Sequence, residues 1–235
     1  MEIAQGPMER SFGWRTAIAI QSLDRLGGKE RDALAIAGGL VERGHAVTIL
    51  TRSARLKVPA GTAVRPVGVM GWTNHARARG FARAVTGARR SGEFDAILSF
   101  EKLRDADAYY AADVCFVSRR RGWRAWLPRN RAYAQLEAGC FAPEGPDILF
   151  LCRKQEREYR HEYALHNDRV LVLPPMIHDP ARQRFYERRA AVRRQFGIPE
   201  TAILAVSVGV YPKQKGMDRT IAALRDVPEL DFLAV

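Results

Sequence analysis

Cysteine is scarce in this sequence, and long apolar runs are missing from it. The three cysteines, Cys115, Cys140 and Cys152, show no paired spacing, which argues against a disulfide framework and a zinc site and predicts buried, reduced thiols. No apolar run approaches the roughly 20 residues that a membrane-spanning helix requires, and the first residues lack the continuous apolar stretch of a secretory signal. These absences predict a cytoplasmic protein that does not cross a bilayer.

Lysine and acidic residues are also few relative to arginine. Arginine outnumbers lysine 32 to 6, and the formal net charge is +12. Such a charge predicts attraction to polyanions, which include nucleic acid, an anionic membrane face and phosphorylated substrates. The charge does not choose among them, and a GC-rich genome would produce the arginine bias without functional selection.

What the sequence does contain is an alternation of short β-branched runs and amphipathic stretches, which predicts an α/β fold of βαβ units around a parallel sheet. The predicted strands of the first domain are residues 15–20, 46–50, 63–69, 96–100, 114–117, 148–152 and 170–173. The predicted helices between them are residues 30–43, 77–90, 126–141 and 154–163.

The same pattern predicts a domain organisation. Residues 1–14 form a leader, residues 15–178 a Rossmann-like domain, and residues 179–235 the start of a second Rossmann-like domain. In that second part we predict a helix over residues 182–196, a strand over 203–208, a helix over 217–224 and a strand over 231–235. Because the chain ends inside a buried parallel strand, we expect a truncated second domain.

Two loops between a strand and a helix are candidates for binding phosphate. Gly27, Gly28 and Lys29 precede the first helix, where unpaired N–H groups and the positive end of the helix dipole favour anions. The second loop carries Lys213, Lys215 and Gly216. Neither loop is a dinucleotide fingerprint or a Walker A motif, so a plain helix-entry turn and solvated lysines stay open as alternatives. Together they predict an anionic ligand in a cleft between two domains.

Acidic residues are concentrated after the strand predicted over residues 96–100. Asp105, Asp107 and Asp113 would lie at the carboxyl end of a strand, where open α/β sheets bind ligands. A carboxylate there can orient or deprotonate an acceptor hydroxyl. The alternative is that these aspartates cap helices or offset nearby arginines.

Residues 118–136, which we name the basic aromatic segment, contain no acidic residue and carry Arg119, Trp123, Arg124 and Trp126 among other arginines and aromatics. Aromatic rings favour the bilayer interface and arginines attract anionic headgroups, so the segment predicts docking on an anionic membrane surface. Nucleic acid would also accept arginine with tryptophan stacking, and a solvated basic face is the third alternative. We expect the membrane, and no nucleic acid, as the partner.

Taken in order, several segments resemble the lipopolysaccharide core glucosyltransferases (glucosyltransferase I type) of glycosyltransferase family 4, which have the GT-B fold of two facing Rossmann-like domains. The resemblance covers nearly the whole chain from Arg15, and AYYAADVCF at 108–116 is its most specific piece. The other matching segments are LGGKERDALAIAGGLVERGHAVTILT at 26–51, TNH at 73–75, the basic aromatic segment, VLVLPPMI at 170–177 and KGMDRTIAAL at 215–224.

The resemblance implies transfer of a hexose, glucose in most members, from a UDP-sugar to a heptose of the inner core with retained configuration, on the inner face of the inner membrane. Carried over, Gly27 and Gly28 approach the donor phosphates, Asp32 and Asp113 line the sugar and acceptor side as catalytic residues, and Lys215 with Lys213 and Gly216 serves the diphosphate. No metal and no cofactor beyond the donor is implied.

The chain departs from the family pattern at two places. Gln214 stands where the family has arginine before the lysine of the second loop. The nucleotide-binding glutamates of the family lie in a C-terminal half beyond Val235, so the resemblance implies an incomplete enzyme. The alternatives are a non-catalytic basic protein that docks on anionic membranes and a GT-B transferase for a different sugar.

Overall fold

The computed structural model describes residues 13–120, 122–174, 182–207, 215–225 and 230–234. The chain divides into two compact units, Met1–Pro175 and Met176–Val235. The domain boundary predicted after residue 178 and residues 1–12 of the predicted leader lie outside the described residues.

The first unit is built on a sheet of seven parallel strands. In chain order they are β1 (Arg15–Ala19), β3 (Ala46–Thr51), β5 (Thr62–Pro66), β6 (Ala96–Ser99), β7 (Ala108–Ala111), β8 (Asp147–Phe150) and β9 (Val170–Val172). Two short strands, β2 (Ser22–Leu23) and β4 (Ser53–Ala54), pair separately. The spatial order is β5-β3-β1-β6-β7-β8-β9, so the chain reverses its direction of progress between β1 and β6, at the switch point where doubly wound sheets bind ligands.

Helices cover both faces of the sheet. They are α1 (Gly28–Glu42), α2 (Asn74–Arg90), α3 (Pro128–Cys140) and α4 (Arg153–Glu162). Side chains alternate across a strand, and β1 illustrates the result: Ala17 and Ala19 pack in a cluster with Phe81 of α2, while Ile18 and Ile20 pack in a cluster with Ala37 of α1. The central strand is therefore apolar on both sides, as a parallel sheet between two helix layers requires.

The strand predicted over residues 114–117 is wrong. The strand lies earlier, at Ala108–Ala111, and Val117–Arg119 forms a turn of 3-10 helix. The physical reason is that the backbone N–H groups of Phe116 and Val117 donate to the Glu137 carboxylate instead of a neighbouring strand. The strand predicted over 63–69 ends at Pro66, which the edge position of β5 tolerates.

The second unit contains a parallel pair of strands and two helices. They are α5 (Arg182–Gln195), β10 (Ile203–Ser207), α6 (Met217–Leu224) and β11 (Leu230–Ala234). This βαβ arrangement matches the one predicted for the segment. Within the described residues, no helix combines the length and apolarity needed to span a membrane.

Candidate functional site

Three polar residues follow three neighbouring strands at the switch point. Gln21 comes after β1, Glu101 after β6 and Asp113 after β7. Because parallel strands all end at the same edge of a sheet, these side chains share its carboxyl edge. The N-terminus of α1 lies at this edge as well, since α1 follows β1 and returns the chain to β3.

Lys29, in the first turn of α1, joins the two carboxylates. Its Nζ lies 3.0 Å from Glu101 Oε1 and 3.9 Å from Asp113 Oδ2. Glu101 Oε1 also accepts a hydrogen bond of 3.1 Å from the backbone N–H of Gln21. Lys29 and Glu101 are mostly buried, whereas the Asp113 side chain is 52% exposed. Asp113 is therefore the carboxylate of this cluster that a ligand reaches from solvent.

Burial and charge shift two pKa values in the cluster. Burial raises the pKa of Glu101, and the attraction of Lys29 offsets only part of that rise. Burial by itself would lower the pKa of Lys29, but the Coulombic attraction of Glu101 and Asp113 outweighs it, so the pKa of Lys29 is raised. Lys29 stays protonated, and its charge is already matched by carboxylates.

A pocket of about 260 Å³ opens beside this cluster. Gln21, Glu101 and Asp113 form its polar side. Its remaining wall comes from α2, α3 and the chain after β6 and β7, through Ala78, Lys102, Leu103, Val114, Phe116, Tyr133 and Leu136. A pocket with an apolar wall and a few convergent polar groups is the usual form of a small-ligand site.

The loop that carries Asp113 is held by a buried carboxylate. Glu137 of α3 is fully buried and accepts hydrogen bonds from the backbone N–H groups of Phe116 at 2.7 Å and Val117 at 3.0 Å. It also pairs with Lys102, whose Nζ donates to the carbonyl of Val114. The loop is thus fixed on one side by a single buried ion pair.

The other side of the loop is fixed by α4. The carbonyl oxygen of Asp113 accepts hydrogen bonds from Gln155 Nε2 at 3.0 Å and from the hydroxyl of Tyr159 at 3.2 Å. Asp113 therefore has an anchored backbone and a side chain that projects to solvent at the pocket.

Comparison with known proteins relates this chain to a lipopolysaccharide glucosyltransferase. The lipopolysaccharide glucosyltransferase WaaG of Escherichia coli K12 is 31% identical over 210 residues, which make up 86% of this chain and 56% of WaaG. The crystal structure of WaaG, a glycosyltransferase involved in lipopolysaccharide biosynthesis, matches with a TM-score of 0.80 at 29% identity over 93% of this chain and 62% of that chain. This chain is thus similar to WaaG in sequence and shares the α/β fold of GT-B glycosyltransferases.

More distant structures share the fold alone. Anabaena HepE in complex with UDP and glucose matches with a TM-score of 0.60 at 13% identity, covering 94% of this chain and 60% of that chain. The catalytic domain of Arabidopsis starch synthase IV matches with a TM-score of 0.62 at 13% identity, covering 95% of this chain and 68% of that chain. No protein-family model matches the chain. The chain spans little more than half the length of the curated WaaG sequence, at 56%.

The aspartates predicted to share this edge of the sheet do not all lie there. Asp107 precedes β7, accepts a hydrogen bond from the backbone N–H of Ile97 at the start of β6, and pairs with Arg89 at 2.6 Å. Asp105 accepts from the hydroxyl of Thr86. Asp107 therefore lies at the amino side of the sheet and Asp105 lies against α2, and of the three only Asp113 lines the pocket.

Asp32 occupies a different position from Asp113. It lies on α1, accepts a hydrogen bond of 2.9 Å from the hydroxyl of buried Tyr110, and pairs with Arg31 at 3.2 Å. Burial, followed by this hydrogen bond, raises the pKa of Tyr110. The residues that line the pocket do not include Asp32. The structure thus shows Asp32 linking α1 to β7, and its predicted catalytic role stays a prediction.

The glycine turn before α1 has an open approach. Gly27 is the N-cap of α1 and has extended backbone, with no side-chain hydrogen bond to the helix end. Neither Gly27 nor Gly28 has a positive φ, and a Cβ at Gly28 would meet no atom within 4 Å. The conformation of the turn therefore does not require glycine at position 28, and the space beside it is open to a ligand.

The second predicted phosphate loop is described in part. Lys213 and Gln214 lie outside the described residues. Lys215 is exposed, and Gly216 is the N-cap of α6 with φ of +79°, a conformation that favours glycine. The Gly216 carbonyl accepts a hydrogen bond from the backbone N–H of Thr220. Lys215 thus stands just before a helix N-terminus in the second unit.

The basic aromatic segment does not form one continuous helix. Its 3-10 turns at Val117–Arg119 and Trp123–Trp126 lead into α3, which begins at Pro128. Arg119 is exposed, and the Trp123 and Trp126 side chains are 72% and 77% exposed. The side chain of Arg124 lies outside the described residues.

Sequence reasoning missed several residues of the pocket. Glu101 was overlooked although it directly follows the strand AILSF, a position that itself indicates the carboxyl edge. Lys102, which lines the pocket, and Glu137, which lies behind it, were also missed, and their pairing across 35 residues leaves no local pattern. Two of the three cysteines are buried as expected, but Cys152 is exposed. Among the described residues, no group of three or more His, Cys, Asp and Glu side chains could hold a metal ion.

Proposed function

We propose that this chain acts in a retaining glycosyl transfer that moves a hexose, glucose, from a UDP-sugar to a heptose of the lipopolysaccharide inner core. The observation that carries the proposal is the Lys29, Glu101 and Asp113 cluster beside a pocket at the switch point of a WaaG-like sheet. The name of the E. coli relative supports the sugar and the acceptor class.

The charges of the cluster favour an acceptor sugar at the pocket. One lysine faces two carboxylates, so the cluster offers no surplus positive charge to a phosphate. Carboxylates accept hydrogen bonds from sugar hydroxyls and can take up a proton during transfer. We assign the acceptor hydroxyl to Asp113, the exposed carboxylate, and a positioning role to Glu101 through Lys29.

The donor phosphates fit the glycine turn better. The first N–H groups of α1 are available at Gly27 and Gly28, the space beside Gly28 is open, and a helix N-terminus favours an anion. An HepE structure of the same fold holds UDP and glucose, which supports a nucleotide sugar as the donor class. In the second unit, Lys215 and Gly216 are proposed for the diphosphate, together with Lys213. Cations and helix dipoles then stabilise the leaving group without a metal.

The basic aromatic segment would place the enzyme on its membrane-bound acceptor. Exposed tryptophans partition into the bilayer interface and arginines attract anionic headgroups, and Arg119, Trp123 and Trp126 are exposed. We propose that these residues, with Arg124, dock the protein on the cytoplasmic face of the inner membrane, and that nucleic acid is not a partner.

Transfer of labelled glucose from UDP-glucose to a heptose-terminated core acceptor tests the proposal. The assay is run with this chain and with the full product of its gene, in the presence and absence of a chelator. Transfer that resists the chelator is expected in the full product. Absence of transfer in both forms, combined with vesicle binding, would favour a non-catalytic membrane-docking protein instead.

A matched pair of substitutions tests the role of Asp113. In the form that shows transfer, Asp113→Asn is expected to lower kcat by about 100-fold, the usual order for losing a general base, with little change in thermal stability because the side chain is half exposed. Asp147→Asn, at an exposed position at the start of β8, is the control and keeps full rate. Equal rates in the two variants would show that Asp113 does not take part in the transfer.

A further inference from the structure

The most exposed tryptophan of the described chain lies outside the basic aromatic segment. Trp72 is 99% exposed and Met70 is 92% exposed. Both belong to the short loop at residues 70–72, which we name the Met70–Trp72 loop, directly before α2. Large apolar side chains that protrude into water in this way mark a surface that meets another apolar phase.

The loop is held in place by α2. Gly71 has φ of +153°, and a Cβ there would meet the Ala76 side chain at 2.9 Å. The Gly71 carbonyl accepts a hydrogen bond of 2.9 Å from Arg77 Nε, and the side chain of Thr73 caps the helix. Met70 and Trp72 therefore flank a fixed glycine and project outward from an anchored backbone.

The loop lies at the same edge of the sheet as the basic aromatic segment. α2 connects β5 to β6 and α3 connects β7 to β8, so both helices begin at the carboxyl edge of a parallel sheet. The two helices pack together, and Arg79 of α2 donates a hydrogen bond of 2.5 Å to Gln135 of α3. Ala78 of α2 and Tyr133 of α3 both line the pocket, so the pocket lies between the first turns of the two helices.

The exposed charged residues on α2 and at the start of α3 are arginines. No acidic residue occurs between Glu42 and Glu93, a stretch that contains the loop and all of α2, and none occurs between Asp113 and Glu137. Arg79 and Arg83 of α2 are exposed, as are Arg129 and Arg131 of α3. This combination of protruding apolar side chains and exposed arginines is complementary to an anionic bilayer. The apolar side chains would enter the interface, and the arginines would contact the lipid phosphates.

We propose that Met70 and Trp72 form a second membrane anchor, which inserts into anionic lipid beside the basic aromatic segment and turns the mouth of the pocket toward the bilayer. The inference extends the membrane docking of the proposed function. An acceptor with a lipid anchor would then reach Asp113 from the membrane side.

Vesicle binding tests the second anchor without any need for transfer. The chain is mixed with phosphatidylcholine vesicles with and without phosphatidylglycerol, and the partition coefficient is measured by flotation. Replacing both anchor residues, as Met70→Ser with Trp72→Ala, is expected to lower binding to anionic vesicles by about tenfold, because insertion scales with the apolar area buried. Both residues are exposed, so the thermal midpoint should not change.

Trp14 supplies the matched control. It is 58% exposed and directly precedes β1, at the amino edge of the sheet and so opposite the proposed surface. Trp14→Ala is expected to leave vesicle binding unchanged. The proposal is overturned if Trp14→Ala and the double anchor variant lose binding equally, or if the anchor variant loses none.

Fluorescence of single tryptophans gives a second measurement. The sequence contains four tryptophans, Trp14, Trp72, Trp123 and Trp126, so replacing the other three by phenylalanine isolates each one. Trp72 alone should shift to the blue on anionic vesicles and be quenched by brominated lipid, while Trp14 alone should do neither. A shift at Trp123 or Trp126 without a shift at Trp72 would overturn the second anchor and support docking by the basic aromatic segment alone. No shift at any of the three would contradict both membrane contacts.

Discussion

Glu137 is a charged residue placed where sequence rules expect an apolar one. It lies on the inner face of α3 with no exposure to solvent, and burying a carboxylate is costly unless it is paired and hydrogen-bonded. Lys102, two backbone N–H groups and the Tyr163 hydroxyl satisfy it. Glu137 therefore holds the Asp113 loop from a buried position on α3 that an apolar residue would usually occupy.

Removing the charge of Glu137 should destabilise the fold. Glu137→Gln leaves Lys102 buried without its partner, so we expect the free energy of unfolding to fall by about 3–5 kcal/mol, measured by urea denaturation. Glu144→Gln is the control, because Glu144 is 71% exposed and meets Arg104 at 3.4 Å, where a surface pair contributes about 0–1 kcal/mol. Similar midpoints for the two variants would show that the buried pair does not hold the loop.

Glu101 should give the stability a distinctive pH dependence. Burial raises its pKa above the usual value of 4.5, so the native state binds this proton more tightly than the unfolded chain does. The stabilisation from Glu101 is then complete below the usual pKa and is lost as the pH rises through the raised one. The Glu101→Gln variant has no carboxyl group at this position, so its stability should not fall with pH for this reason. Lys29 does not titrate in the same pH range, because its pKa is raised.

The measurement is the free energy of unfolding of both proteins from about pH 4 to about pH 7. The value for Glu101→Gln minus the value for the wild type should increase with pH. The corresponding difference for Glu144→Gln, at an exposed site, should stay flat. A difference for Glu101→Gln that stays flat or decreases would contradict the burial of an ionisable carboxylate at this edge.

At the scale of a secondary-structure element, one substitution at the N-terminus of α1 should raise the stability of the fold and weaken ligand binding. Alanine fits the backbone at position 28, since φ there is not positive and the added Cβ meets no atom within 4 Å. Gly28→Ala should therefore stabilise the fold by about 0.5 kcal/mol through reduced entropy of the unfolded chain. The same methyl group should obstruct a diphosphate and weaken UDP-glucose binding about tenfold, measured by calorimetry.

Gly87→Ala is the helical control for this substitution. Gly87 lies near the end of α2, and its Cβ would also meet no atom within 4 Å. Stabilisation of about 1 kcal/mol without any change in UDP-glucose affinity is expected there. If both glycine variants bind UDP-glucose as the wild type does, the glycine turn is not a phosphate site.

The error over residues 114–117 also belongs to this scale. The run at residues 114–117 has strand composition. However, the backbone N–H groups of Phe116 and Val117 donate to Glu137, which lies 20 or 21 positions later in the chain. β-propensity reports fit to a half-buried surface and not an intrinsic backbone preference. A side chain from another element decided the local structure.

For the whole molecule, the net charge of +12 should govern membrane association. The Debye length falls from about 10 Å at 0.1 M salt to about 3 Å at 1 M, so binding to anionic vesicles should weaken steeply over that range. Sucrose at matched osmolarity is the control and should leave binding unchanged. Binding that does not respond to salt would mean that apolar insertion alone holds the protein to lipid.

The fold class of this protein and most of its elements follow from the amino-acid sequence alone. Short β-branched, apolar runs at residues 15–20, 46–50 and 96–100 predicted the central strands, because a parallel sheet buried on both faces requires such runs. The segments LGGKERDALAIAGGLVERGHAVTILT and AYYAADVCF carried the family resemblance, which the relationship to WaaG confirmed. Lys29 is predicted from its place between a strand and a helix, and Asp113 from its place after the strand over residues 96–100.

Which of these residues contact one another depends on the three-dimensional fold. It brought Lys29 to 3.0 Å from Glu101 and paired Lys102 with Glu137. It placed Asp107 at the amino end of the sheet and Asp105 against α2. The physical reason is that periodicity assigns a residue to a face of its own element, whereas an ion pair depends on the spatial order of strands. That order, β5-β3-β1-β6-β7-β8-β9, differs from the order of the chain and places β1 beside β6.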